Sequence, residues 1–276
     1  MKKLFMVSAL SLVASTSFAA PVAGGSSSTL VKAAQSNLMA VGTAGIAMPT
    51  SNSPTLADTS KVVSFAAGPI NQTNAVIATP GFTSAHITLG GATKISETWK
   101  NNYAYNTAVY AYRQISNPQE GFPEFGGEVI AKVTGNEVYF GEWAPRKTGT
   151  QPDNSTDLNL SSSSRAVWYS GENPTTAMPT LVNAKYNVVG VKQYNPGTGA
   201  GVTSGVLTAN YGSGSGTITG TVGTLNFAGT SIASNGTFAR SSNIEGRFYG
   251  ANAQALAGIY KGATAASNIA FGGAKQ

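Results

Sequence analysis

SGVLTANYG (204–212), SGTITGTV (215–222), TLNFAGT (224–230), GTFAR (236–240), IEGRFYG (244–250), LAGIYKG (256–262) and NIAFGGA (268–274) decide the fold. Each run is short, ends in turn residues and alternates small or polar with larger side chains, the pattern of a half-buried antiparallel strand. The runs recur every 8–14 residues or so, the spacing of a sandwich or barrel. Closure into a barrel removes the open edges that so many short strands would leave. ANAQALAG (251–258) interrupts the series and reads as one helical turn.

Upstream, RAVWYSG (165–171) and KYNVVGVKQY (185–194) extend the same text, whereas PRKTGTQPDNSTDLNLSSSS (145–164) is almost wholly polar with two prolines and reads as a linker. Before it, EVIAKVTGNEVYFGEW (128–143) reads as a hairpin turning at TGNE. VVSFAAG (62–68) and HITLGG (86–91) read as strands closed by glycine, and Tyr103, Tyr105, Tyr110 and Tyr112 alternate with small residues as strands do. Two stretches have helical readings: Ser96–Tyr103, with Ser96 as cap, and Leu30–Val41, whose apolar residues share one narrow face.

Composition agrees with β structure. Apolar residues make 41% of the chain, enough for a core, while charged residues make only 10% and glycine contributes 33 positions. Long helices favour Glu, Lys and Leu instead. The N-terminus, MKKLFMVSALSLVASTSFAAPVAG, has a basic start, an apolar stretch from Leu4 to Ala14 and small residues at Ser17 and Ala19, the pattern of an export signal over 1–19. Removing Lys2 and Lys3 lowers the formal charge from +6 to about +4. With no cysteine anywhere, neither a lipid-anchoring cysteine nor a disulfide is available, so the expected product is secreted and not lipidated. The expected organisation is a signal (1–19), an N-terminal β-rich ligand-handling domain (20–150) and a C-terminal eight-stranded antiparallel β-barrel (151–276).

The C-terminal text carries a resemblance. IEGRFYGANAQALAGIYKG (244–262) resembles the Gly-x-Phe-Tyr-Gly ending of barrels in transferrin-binding protein B and related neisserial surface lipoproteins. VYFGEW (138–143), AVWYSGENPTTAMPTLVNAKYNVVGVKQYN (166–195), SGVLTANYG and the terminal AFGG resemble the soluble, hemophilin-type branch, exported through an outer-membrane surface lipoprotein assembly modulator. The resemblance covers about residues 137–276. It implies haem capture by the N-terminal domain, a barrel read by the outer-membrane translocator, delivery to a TonB-dependent outer-membrane receptor, and a host haemoprotein as a further partner.

A haem site needs an iron ligand, an apolar slot and cations near the propionates. His86 is the single histidine, so bis-His ligation within one chain is excluded. Tyr103, Tyr105, Tyr110 and Tyr112 offer a tyrosinate alternative, and Met39 and Met48 weaker thioether ones. The slot candidates are Phe65, Phe82, Ile87, Leu89 and Trp99, with Lys94, Lys100 and Arg113 as propionate partners. Ordinary packing and a solvated basic face account for the same residues. The second reading is a secreted module that binds a host iron carrier or other host protein without a small ligand.

Catalysis has no motif to stand on. HExxH, GxSxG and a cysteine nucleophile are all missing, and GTGAG (197–201) and GSGSG (212–216) lie between strands as turns, without the lysine and helix of a phosphate loop. A pI near 9.4 raises nucleic acid, but the basic residues are scattered rather than striped, and no nucleic-acid partner is expected.

Overall fold

The computed structural model describes residues 20–117, 119–241 and 243–276; the export-signal reading of 1–19 lies outside the described residues. The first strands are β1 (Val22–Ser26), β2 (Lys32–Gln35), β3 (Ala44–Ala47) and β4 (Val63–Ser64). A wide helical turn (Ala66–Ile70) and the short helix α1 (Asn71–Val76) follow. Next come β5 (Gly81–Leu89), β6 (Thr93–Asn102), β7 (Ala108–Gln114), β8 (Gly127–Lys132), β9 (Val138–Ala144) and β10 (Ala166–Glu172). The C-terminal part holds β11 (Leu181–Val191), β12 (Val202–Gly212), β13 (Ser215–Val222), β14 (Leu225–Asn226), β15 (Thr230–Ile232), β16 (Thr237–Arg240), β17 (Ile244–Tyr249), β18 (Ala255–Tyr260) and β19 (Ile269–Lys275).

These last strands close into an eight-stranded antiparallel barrel. The circuit runs β11-β12-β13-β15-β16-β17-β18-β19 and back to β11, while β14 is a short appendage on β13. Rings fill the interior: Phe227 meets Phe271 edge-on at 5.0 Å and Phe238 meets Phe248 at 5.4 Å. Gly246 stands opposite Phe238 in register, and a Cβ there would run into the Phe238 ring, so the missing side chain is what seats that ring. The predicted helical turn at 251–258 is not helical. Gly250 and Ala253 both have positive φ (81° and 51°), which turns the chain into β18.

The N-terminal part is a seven-stranded antiparallel sheet, ordered β1-β10-β9-β8-β7-β6-β5, with a small sheet β2-β3-β4 laid over it. Both remaining helical readings give way to strands here. Leu30–Val41 contains β2, held by its pairing with β3, and Met39 (φ 65°) and Gly42 (φ 90°) turn the chain back. Ser96–Tyr103 lies largely in β6, which pairs with β5 on one side and β7 on the other, so ladder bonds on both edges override the local cap. The boundary drawn at 150/151 also moves. β10 pairs with β9 and β1 and so completes the N-terminal sheet, which extends to Glu172.

Alternation gives this sheet two buried faces with different jobs. Trp99, Val109, Ala111, Val129, Phe140 and Val167 pack against the outside of the barrel, including Val189, Tyr194 and Ile259, in one continuous core. Residues one position along, among them Tyr112, Ile130, Trp143 and Trp168, pack beneath the β2-β3-β4 cover. The barrel-side seam also carries polar groups. Glu142 and Arg165, both fully buried, form an ion pair, and the Glu142 carboxylate accepts the backbone N–H groups of Gln193 (2.7 Å) and Tyr194 (3.0 Å).

Candidate functional site

The register of the seven-stranded sheet sets four side chains in a row on its covered face: Thr98 of β6, Tyr112 of β7, Glu128 of β8 and Trp143 of β9. Over part of this row the cover stands clear and leaves a cavity of about 420 Å³, within the size range of small-ligand sites. Leu38, Met39, Met48 and Val63 wall it on the cover side, Ile87, Leu89 and Ile95 on the sheet side, and Phe122 and Phe125 close it from the loop after β7. Trp143 fixes that loop by donating its indole N–H to the Glu124 carbonyl at 2.9 Å. Lys61 is the one cationic side chain among the lining residues.

The polar groups of the floor are few. Thr73, from α1, bonds Thr98 Oγ1 at 2.7 Å and donates to the Tyr112 hydroxyl at 3.1 Å. Burial, above all, holds the Tyr112 phenol well above its ordinary range, so it remains a neutral hydroxyl. Glu128 is 2% exposed, and its Oε1 is buried with no hydrogen-bond partner. Loss of hydration pushes its carboxyl up to about 8, so at neutral pH it is a neutral acid, able to donate as well as accept.

His86 belongs to the other face. Its neighbour Ile87 lines the cavity, and consecutive strand residues point to opposite sides. His86 stands opposite Glu97, whose carboxylate accepts from Ser84 (2.6 Å) and Arg113 (2.6 Å). Arg113 also donates to the Pro152 carbonyl (3.2 Å), and Lys94 pairs with Asp153 (3.2 Å). Lys94 first, then His86 and Arg113, hold the Asp153 carboxyl below its usual range. So His86, Lys94 and Arg113 do come together, beneath the polar 145–160 segment.

The structure does not bring the tyrosines to them. Tyr103 donates its hydroxyl to Tyr194 at 2.9 Å in the seam, where burial raises its pKa. Tyr105 sits in a tight turn with φ 60° and is exposed. Of the five slot residues only Ile87 and Leu89 line the cavity; Phe65 stacks on Trp168 at 4.8 Å, Trp99 lies in the seam, and Phe82 is exposed. Met39 and Met48 do line it. Sequence reasoning missed Glu128. No local signal gave it away: in EVIAKV only Val129, Ala131 and Val133 form an apolar set, and Glu128 and Lys132 flank Ile130 on the other, so Glu128 reads as a polar-face residue until β8 is seen buried on both faces.

With both halves described, the chain can be set beside known proteins. Residues 178–276 match the family described as C-lobe and N-lobe beta barrels of Tf-binding protein B. The matched stretch begins just ahead of β11 and runs to the end of β19, so it takes in the whole eight-stranded barrel and stops short of the cavity. A mutant of the vaccine antigen Transferrin Binding Protein B from Actinobacillus pleuropneumoniae H49 is 12% identical, with a TM-score of 0.33 over 53% of this chain and 80% of that one. A structure described as a surface lipoprotein is 13% identical, with a TM-score of 0.33 over 63% of this chain and 95% of that one. A double mutant of the same antigen from Haemophilus parasuis Hp5 is 14% identical, with a TM-score of 0.25 over 66% of this chain and 37% of that one.

Proposed function

We propose that this protein is a secreted carrier that captures haem in the N-terminal cavity and passes it to an outer-membrane receptor, with the barrel serving export and docking. The observation that carries this reading is the apolar cavity itself, about 420 Å³ beneath a cover of its own. Its lining suits the apolar body of haem, Lys61 is a cation for a propionate, and the Met39 and Met48 thioethers are the soft donors on its wall. His86 does not fit as the iron ligand of this cavity, because it projects from the opposite face. Haem held this way is gripped mainly by packing.

Titration of the purified protein with hemin is the test. The expected result is a Soret shift that saturates at one equivalent, survives His86→Ala and is abolished by Ile87→Trp, which fills the cavity. Absence of any Soret shift rejects the carrier reading. The match of residues 178–276 to Tf-binding protein B barrels favours a second reading, a module that binds a host iron-carrier protein. Retention of one such protein from host plasma, by protein that takes up no hemin, is the outcome that selects it.

A further inference from the structure

Glu128 sets a buried carboxyl against the wall of the cavity. Among the described residues its Oε1 has no partner, and a polar group left unpaired away from water weakens the fold. An apolar side chain would fill the same place at lower cost. Stability given up inside a cavity marks a group kept for what the cavity receives.

We infer that Glu128 is the specificity residue of the cavity: it donates a hydrogen bond to an oxygen acceptor on the bound molecule, so the site selects an apolar ligand that carries carbonyl or carboxyl oxygens. This rests on the cavity being the ligand site, and it adds that ligand oxygens, not iron, are what the floor recognises. The donor exists only while the carboxyl is protonated. Ionised, Glu128 would face the same oxygens as a like charge.

Other titratable groups face Glu128 or lie near it. Tyr110 and Tyr112 of β7 and Tyr139 of β9 share its face of the sheet, and burial raises all three hydroxyls. Lys61 comes from the cover, and Glu124, from the loop, accepts from the Asn117 amide at 2.8 Å. Glu97 and Arg113 pair on the opposite face.

The experiment uses metal-free protoporphyrin IX, an apolar ring with two carboxyl groups, with binding read by fluorescence at pH 6.5 and pH 9.5. Wild type should bind it at pH 6.5 and lose more than tenfold in affinity at pH 9.5, because only the protonated fraction is competent. Glu128→Gln, neutral at both pH values and still a donor, should stay within about threefold of wild type at pH 6.5 and show no such loss. Glu128→Leu should bind at least tenfold more weakly while melting at a higher temperature than wild type. Binding by Glu128→Leu equal to wild type, or a Glu128→Gln profile that follows wild type, overturns the inference. Uptake of hemin without uptake of protoporphyrin IX also overturns it and leaves the haem carrier standing; uptake of neither rejects both.

Discussion

Replacing Glu142 with leucine probes how the barrel is joined to the sheet, and the size of the effect follows from the bonds it removes. The carboxylate accepts from Arg165 Nε at 2.6 Å and from the backbone N–H groups of Gln193 and Tyr194. Arg165 itself donates to the carbonyls of Ala265 and Asn268. Both side chains are fully buried. Glu142→Leu therefore strands a guanidinium with only carbonyl partners, a change that costs about 3–5 kcal/mol. The two orphaned N–H groups add about 1 kcal/mol or more each, not fully additively. A total near 5 kcal/mol corresponds to a fall in Tm of roughly 10–20 °C for a chain of this size. Scanning calorimetry of Glu142→Leu, Arg165→Met and the double variant measures it. The double variant should recover most of the loss, since it removes both charges and leaves apolar groups in the seam. Single variants that lower Tm by less than about 3 °C, or a double variant as unstable as the two losses summed, would refute the reasoning.

Glu128 predicts a pH dependence opposite in sign to that of an ion-paired carboxylate. Its pKa is raised in the folded state from 4.5 to about 8, so the unfolded chain releases this proton first. Its contribution to stability therefore falls as pH rises from about 4.5 to about 8 and is level outside that window. The fall is about 5 kcal/mol, and urea titrations across the window should show it in wild type and not in Glu128→Gln. In the barrel, Gly246→Ala pushes a methyl group into the Phe238 ring and should destabilise by about 1–3 kcal/mol, read as a lower urea midpoint at unchanged slope.

The barrel was readable because each of its strands declares itself locally. TFAR and IEGRFY alternate over a few residues and end in turns, and neighbours in sequence are largely neighbours in the circuit. The N-terminal half was harder because its pairings are remote. β1 finds its partner in β10, with Val22 opposite Glu172, and nothing local in either run announces the other. The polar stretch 145–164 has a linker's composition, yet Leu158 and Leu160 are buried in the shared core and Lys147 is bonded to Asp157. For the candidate site, the sequence named Met39, Met48, Ile87 and Leu89, which line the cavity, and gave most weight to His86, which does not. Which face a strand residue takes depends on register, and register appears only once β5 is paired with β6.

The two-faced sheet also shapes how this protein can change. The cavity-lining Ile87, Tyr112 and Glu128 and the barrel-facing Trp99, Val129 and Phe140 sit on opposite faces of the same sheet. A library randomised at the first set can be screened for new cargo while the surface that mates with the barrel stays constant. Substitutions at the second set should register in assembly before they register in cargo choice. Each strand thus writes two independent messages, one in its odd positions and one in its even ones.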